Sequence, residues 1–65
     1  MAHKFSKNLL KYREQKHLSQ ERLANKINVS KHTISNYECG TSIPSLETAY
    51  KIAEALGVTL NDLVY

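Results

Sequence analysis

Apolar residues recur along this chain at helical intervals. Phe5, Leu9 and Tyr12 stand at i, i+4 and i+7, which is one face of a helix. Ser6 offers a hydroxyl to cap its start, and the pattern runs out at His17, so the helix should stop around Lys16. Ser19 caps a second helix, with Glu21 in its first turn and Leu23, Ala24 and Ile27 as its buried stripe. Arg22 stands where Glu or Gln would complete a capping box. Asn28, a residue that tolerates the left-handed backbone, ends this helix. Ser30 caps a third helix from Lys31 to about Cys39, and Gly40 stops it. After a loop through Pro44, Ser45 caps a fourth helix whose core face is Leu46, Ala49, Ile52, Ala53 and Leu56; Gly57 ends it. Thr48 leaves this capping box incomplete as well. Thr59 opens a last turn or two through Leu60, Leu63 and Val64, with Asp62 near the positive end of the dipole. The pattern predicts an all-α bundle of about five short helices and no strand. It shows no repeat and no linker, which implies one domain over residues 1–65.

The second and third helices are joined only by Asn28-Val29-Ser30. So short a connection cannot let two helices lie antiparallel with both apolar faces covered. It forces them to cross steeply, as a helix-turn-helix over residues of about 19–39. Close crossing needs a small side chain at the contact, and Ala24 is placed to supply it. Leu23, Ile27, Val29, Ile34 and Tyr37 then fill the space beneath. On the helical wheel Ile34 and Tyr37 fall on one side of the third helix with Ser30. Lys31, His32, Ser35, Asn36 and Cys39 fall on the other.

Composition narrows the setting. Sixty-five residues, 42% hydrophobic and 23% charged, with only two glycines and one proline, make a small globular chain with a thin core. One cysteine excludes an internal disulfide and fits a reducing compartment. No apolar run approaches the roughly 20 residues that span a bilayer, and the amino end lacks the apolar stretch of a signal peptide. A cytoplasmic protein without membrane contact is expected. His3, His17, His32 and Cys39 match no common zinc spacing, so no metal is expected. There is no nucleophile–base pattern, phosphate-binding loop or evident small-molecule pocket. Neither catalysis nor a cofactor is expected.

The charge is unevenly divided. Residues 1–32 hold eight Lys or Arg against two acids, a net +6; residues 33–65 hold one against four, a net −3; together they give the chain's +3. A basic half suits an anionic partner surface, though solvated helix faces would look the same.

From Leu18 to Leu63 the chain resembles the Cro/repressor-type helix-turn-helix proteins, the XRE family with the lambda-repressor-like fold. The resemblance rests on Ser19-Gln20, Leu23-Ala24, Val29-Ser30, Thr33-Ile34, Glu38, Gly40, Pro44-Ser45-Leu46-Glu47 and Ile52-Ala53 through Leu56-Gly57-Val58, and the basic first helix extends it to about Phe5. Two positions depart from the family pattern: His17 and Asn28 each stand where glycine is usual. Asn28 is a benign exchange on backbone grounds, whereas His17 costs energy if its backbone is left-handed.

The resemblance implies a DNA-binding transcriptional regulator that binds a pseudo-palindromic operator as a homodimer, with the third helix in the major groove of double-stranded DNA. Lys31, His32 and Asn36 would then read bases, Lys31 by donating to guanine and Asn36 by pairing with adenine, while the methyl of Thr33 or the ring of His32 meets a thymine methyl. Gln20 would clamp the DNA backbone at a helix amino end, with Ser35, Lys7, Lys11, Thr41 and Ser42 as further phosphate contacts. For any single lysine, plain solvation is an equal alternative. Arg13 and Glu38 correspond to a pair that, in the family, forms a partly buried ion pair between the first and third helices. The terminal apolar residues Leu60, Leu63, Val64 and Tyr65 are either a last core layer or a contact surface for a second copy; Leu60, Val64 and Tyr65 are the candidate dimer contacts. Rival readings keep the fold and change the partner or setting: an antitoxin or other protein-binding module, or a restriction–modification controller protein.

Overall fold

A computed structural model describes the backbone of residues 2–65 and the side chains of residues 4–65. The side chain of His3, one of the imidazoles considered above, lies outside the described residues. The helices are α1 (Ala2–Gln15), α2 (Gln20–Ile27), α3 (Lys31–Cys39), α4 (Leu46–Leu56) and α5 (Leu60–Val64), and the described residues contain no strand.

Local chemistry sets most of the boundaries. Ser19, Ser30, Ser45 and Thr59 each stand in extended backbone, and their hydroxyls accept the amide three residues on, at 3.0, 3.1, 3.2 and 3.1 Å. Only the last cap is reciprocated: Asp62 accepts the Thr59 amide at 3.0 Å, closing a capping box that Arg22 and Thr48 cannot close. Left-handed residues end the helices: His17 at φ 57°, Asn28 at 63°, Gly40 at 78° and Gly57 at 70°. At the first of these, the Leu18 amide reaches back to the Arg13 carbonyl (3.2 Å) and the His17 amide to that of Glu14 (3.0 Å), so orphan carbonyls of α1 are satisfied.

Two expectations are corrected. Ser6 does not cap α1. The helix begins at Ala2, because nothing in residues 2–5 breaks it, and Ser6 is buried within it. Its small side chain lies 3.5 Å from where a Cβ on Gly40 would sit, so α1 packs closely on the end of α3. Leu46 does not join the core; it is 74% exposed. The wheel puts it on the apolar side of α4, but five-residue α5 and Pro44 form only the walls of a surface groove beside it and do not roof it.

The core is Phe5 and Leu9 from α1, Leu23, Ala24 and Ile27 from α2, Ile34 from α3, Ala49, Ile52, Ala53 and Leu56 from α4, and Leu63 from α5. Burying each large member contributes about 1.5–3 kcal/mol. α2 packs on α3 and α4, while α1 packs on α3 and α5. The edge of the Phe5 ring meets Tyr37 with centroids 6.2 Å apart. The terminal apolar set divides: Leu63 is core, Leu60 and Val64 are half-buried, and Tyr65 is exposed. Asn8 fastens α5 by donating to the Leu63 carbonyl at 3.0 Å. No helix among the described residues is long and apolar enough to cross a membrane.

Candidate nucleic-acid interface

Burying Ile34 and half of Tyr37 against the core fixes which side of α3 faces out. Lys31, His32 and Cys39 on the outer side are exposed, and Ser35 and Asn36 are half-buried. Among the described residues, the side chains of Lys31, His32, Ser35 and Asn36 make no hydrogen bond within the chain. Their donors and acceptors therefore remain available to a partner. Thr33 differs: its hydroxyl is shared with that of Ser30 at 2.9 Å, which leaves its methyl as the group to present. The first turn of α3 contains no acid, so its positive dipole end and the Lys31 ammonium add to one another.

A polar cluster ties this helix to the two before it. The Arg13 guanidinium grips the Glu38 carboxylate with two donors, Nε to Oε2 at 2.5 Å and Nη2 to Oε1 at 3.1 Å. Its remaining nitrogen, Nη1, donates to the Leu18 carbonyl at 2.7 Å. Gln20 Nε2 donates to Glu38 Oε1 at 2.9 Å. The side chains of Arg13 and Glu38 are only 12% and 6% exposed, so the pair is drawn out of water. The hydrogen bond to Glu38 raises the Arg13 pKa, partly opposed by desolvation, and the guanidinium stays charged.

The structure brings Lys31, His32, Thr33, Ser35 and Asn36 together on one helix and links Gln20 to that helix through Glu38. Thr41 and Ser42 are exposed just beyond its carboxyl end, where their amides reach the Asn36 carbonyl at 2.9 and 3.4 Å. Lys7 and Lys11 are exposed on α1, and the Lys11 ammonium lies 5.0 Å from the centre of the Tyr12 ring. Leu60, Val64 and Tyr65 lie elsewhere, lining the α4–α5 groove with Leu46. Sequence reasoning missed one groove residue and one contact. Leu46 joins that groove, and its place in the first turn of α4, next to a very short helix, was the available signal. The bond from Gln20 to Glu38 spans 18 positions and has no local signature.

Residues 9–63 match the helix-turn-helix family model. Among similar proteins, a cryptic phage CTXphi transcriptional repressor of Vibrio cholerae is 43% identical over 92% of this chain and 54% of its own length. A helix-turn-helix-type transcriptional regulator of Methanocaldococcus jannaschii is 48% identical over 88% of each chain. Another from Bacillus subtilis is 37% identical over 92% of this chain and 52% of its own. This chain thus spans about half the length of the Vibrio and Bacillus relatives.

Proposed function

The chain belongs to the helix-turn-helix family of DNA-binding transcription regulators, and from that premise we propose that it is a repressor that binds a pseudo-palindromic operator as a homodimer, each α3 entering a major groove. The observation that carries this reading is the outer face of α3, where Lys31, His32, Ser35 and Asn36 carry unused hydrogen-bonding groups. Base edges in the major groove display the complementary donors and acceptors. Lys31 donates to guanine O6 and N7, Asn36 pairs with adenine N6 and N7, and the Thr33 methyl or His32 ring meets a thymine methyl. Gln20, Ser35, Thr41, Ser42, Lys7 and Lys11 hold the flanking phosphates. The exposed groove formed by Leu46, Leu60, Val64 and Tyr65 supports pairing with a second copy.

Selection from random duplexes, followed by mobility-shift titration, tests the reading. The expected outcome is a preferred sequence with half-site centres about 10 bp apart and affinity that falls steeply with salt. Asn36→Ala should relax preference at one base position, costing about 1–3 kcal/mol there. Equal affinity for every duplex overturns sequence-specific binding, and a uniform loss in Asn36→Ala overturns the base-reading role.

A further inference from the structure

Glu38 does more than neutralise Arg13. Its Oε1 accepts from two residues, Arg13 Nη2 at 3.1 Å and Gln20 Nε2 at 2.9 Å. A carboxylate offers acceptors only, so the carboxamide of Gln20 must face Glu38 with its nitrogen end. A phosphate oxygen is likewise an acceptor, and only that same nitrogen end can bond to it. An unrestrained carboxamide would turn either end outward. Held by Glu38, Gln20 keeps one N–H on the carboxylate and has the second N–H of the same nitrogen left to donate.

The charge arrangement permits this. A bare carboxylate beside the phosphate path would repel it, but the two-donor grip of Arg13 compensates Glu38 where it sits, 6% exposed. The placement also matters. Gln20 is the first residue of α2, Glu38 lies in the last turn of α3, and Arg13 Nη1 fixes the Leu18 carbonyl two residues before Gln20. Both the backbone entering α2 and the side chain of Gln20 are thereby registered to α3.

We propose that Glu38 is a positioning residue for the DNA-backbone contact: it aims the amide nitrogen of Gln20 at a phosphate and locks that contact in register with the base-facing helix. This rests on the DNA-binding reading above. Glu38 itself touches no DNA.

A double-mutant cycle tests it with wild type, Gln20→Ala, Glu38→Leu and the double variant, each titrated against the selected duplex. The Glu38→Leu exchange removes both carboxylate acceptors at similar side-chain size, so Gln20 loses its partner, whereas Glu38→Gln would leave one oxygen free to keep the bond to Gln20. Gln20→Ala should weaken binding about tenfold in the wild-type background and less than about twofold in the Glu38→Leu background. The change in net charge from Glu38→Leu is common to both chains of that background and cancels in the ratio. A merely structural Glu38 would leave the Gln20→Ala factor the same in both backgrounds, and that result overturns the proposal. Nuclear magnetic resonance of the free wild-type protein decides independently should Glu38→Leu fail to fold. One Gln20 amide proton should be shifted downfield from the position of a solvated glutamine and exchange slowly; both protons at the shifts of a solvated glutamine and exchanging fast overturn the proposal. Wild type that binds no duplex overturns the DNA-binding reading and this inference with it, whereas tight wild-type binding with additive penalties overturns this inference alone.

Discussion

His17 is the residue whose chemistry fits its backbone least. At φ 57° its Cβ crowds the following carbonyl, a cost of roughly 1–2 kcal/mol for an L side chain. The turn keeps it there with the Schellman hydrogen bonds at the end of α1 and the Arg13 contact to the Leu18 carbonyl, which fix the residues on either side. Glycine lacks the Cβ but has more freedom to lose on folding. His17→Gly should therefore raise stability by about 1 kcal/mol, a gain of about 4–8 °C in the thermal midpoint of a chain this small. Asn28→Gly should give less than half of that, since asparagine already tolerates the left-handed region. A midpoint that is unchanged or lower in His17→Gly would mean the turn is not strained at that residue. The residue scale also shows what a sequence discloses. Ser19, Ser30 and Ser45 were legible as caps, and Thr59 as the start of a last turn, because each acts on an amide three positions away. Ser6 misled because a serine is also a small residue, and here its size serves close packing on Gly40. Arg13 and Glu38 are 25 positions apart, so no local rule could join them; family resemblance was the only route to them as a pair.

At the scale of elements, the packing of α2 on α3 depends on how near the helices can come. Ala24 is buried in the core that both helices share, 1% exposed, with Leu23, Ile27 and Ile34. Ala24→Leu would force three additional carbon atoms into filled space, and a cost of about 1–3 kcal/mol is expected. Urea unfolding reads it as a lower midpoint with an unchanged slope. A midpoint equal to that of wild type would mean the packing leaves room at Ala24. The periodicity that located this stripe also located α4, yet it misassigned Leu46. A hydrophobic pattern tells which side of a helix is apolar, not whether a neighbour is long enough to cover it. α5 has five residues, too few to persist alone; its capping box and the bond from Asn8 hold it on the bundle. The length of α5 is a tertiary outcome, and so the exposure of Leu46 could not be read from α4 by itself.

For the whole molecule, the proposed pairing is a matter of size and symmetry. The longest axis of one chain is 24 Å, less than the about 34 Å of one helical turn that separates two half-sites. On the proposed reading two copies share the operator, and the surface offered to join them is apolar: Leu46 is 74% and Tyr65 83% exposed beside the groove that Leu60 and Val64 line. An isologous pair across a two-fold axis sets each such groove against its own counterpart. Tyr65→Asp places a charge in that contact without touching α3 or the core. Sedimentation equilibrium should show a monomer–dimer equilibrium for wild type, displaced towards monomer by tenfold or more in the variant, on the order of 1.4 kcal/mol or greater. The variant should keep the base preference of a single half-site and lose cooperative filling of the full operator. Wild type and Tyr65→Asp that sediment alike as monomers, and fill both half-sites with equal cooperativity, would mean that DNA alone brings the copies together and that this groove has another use.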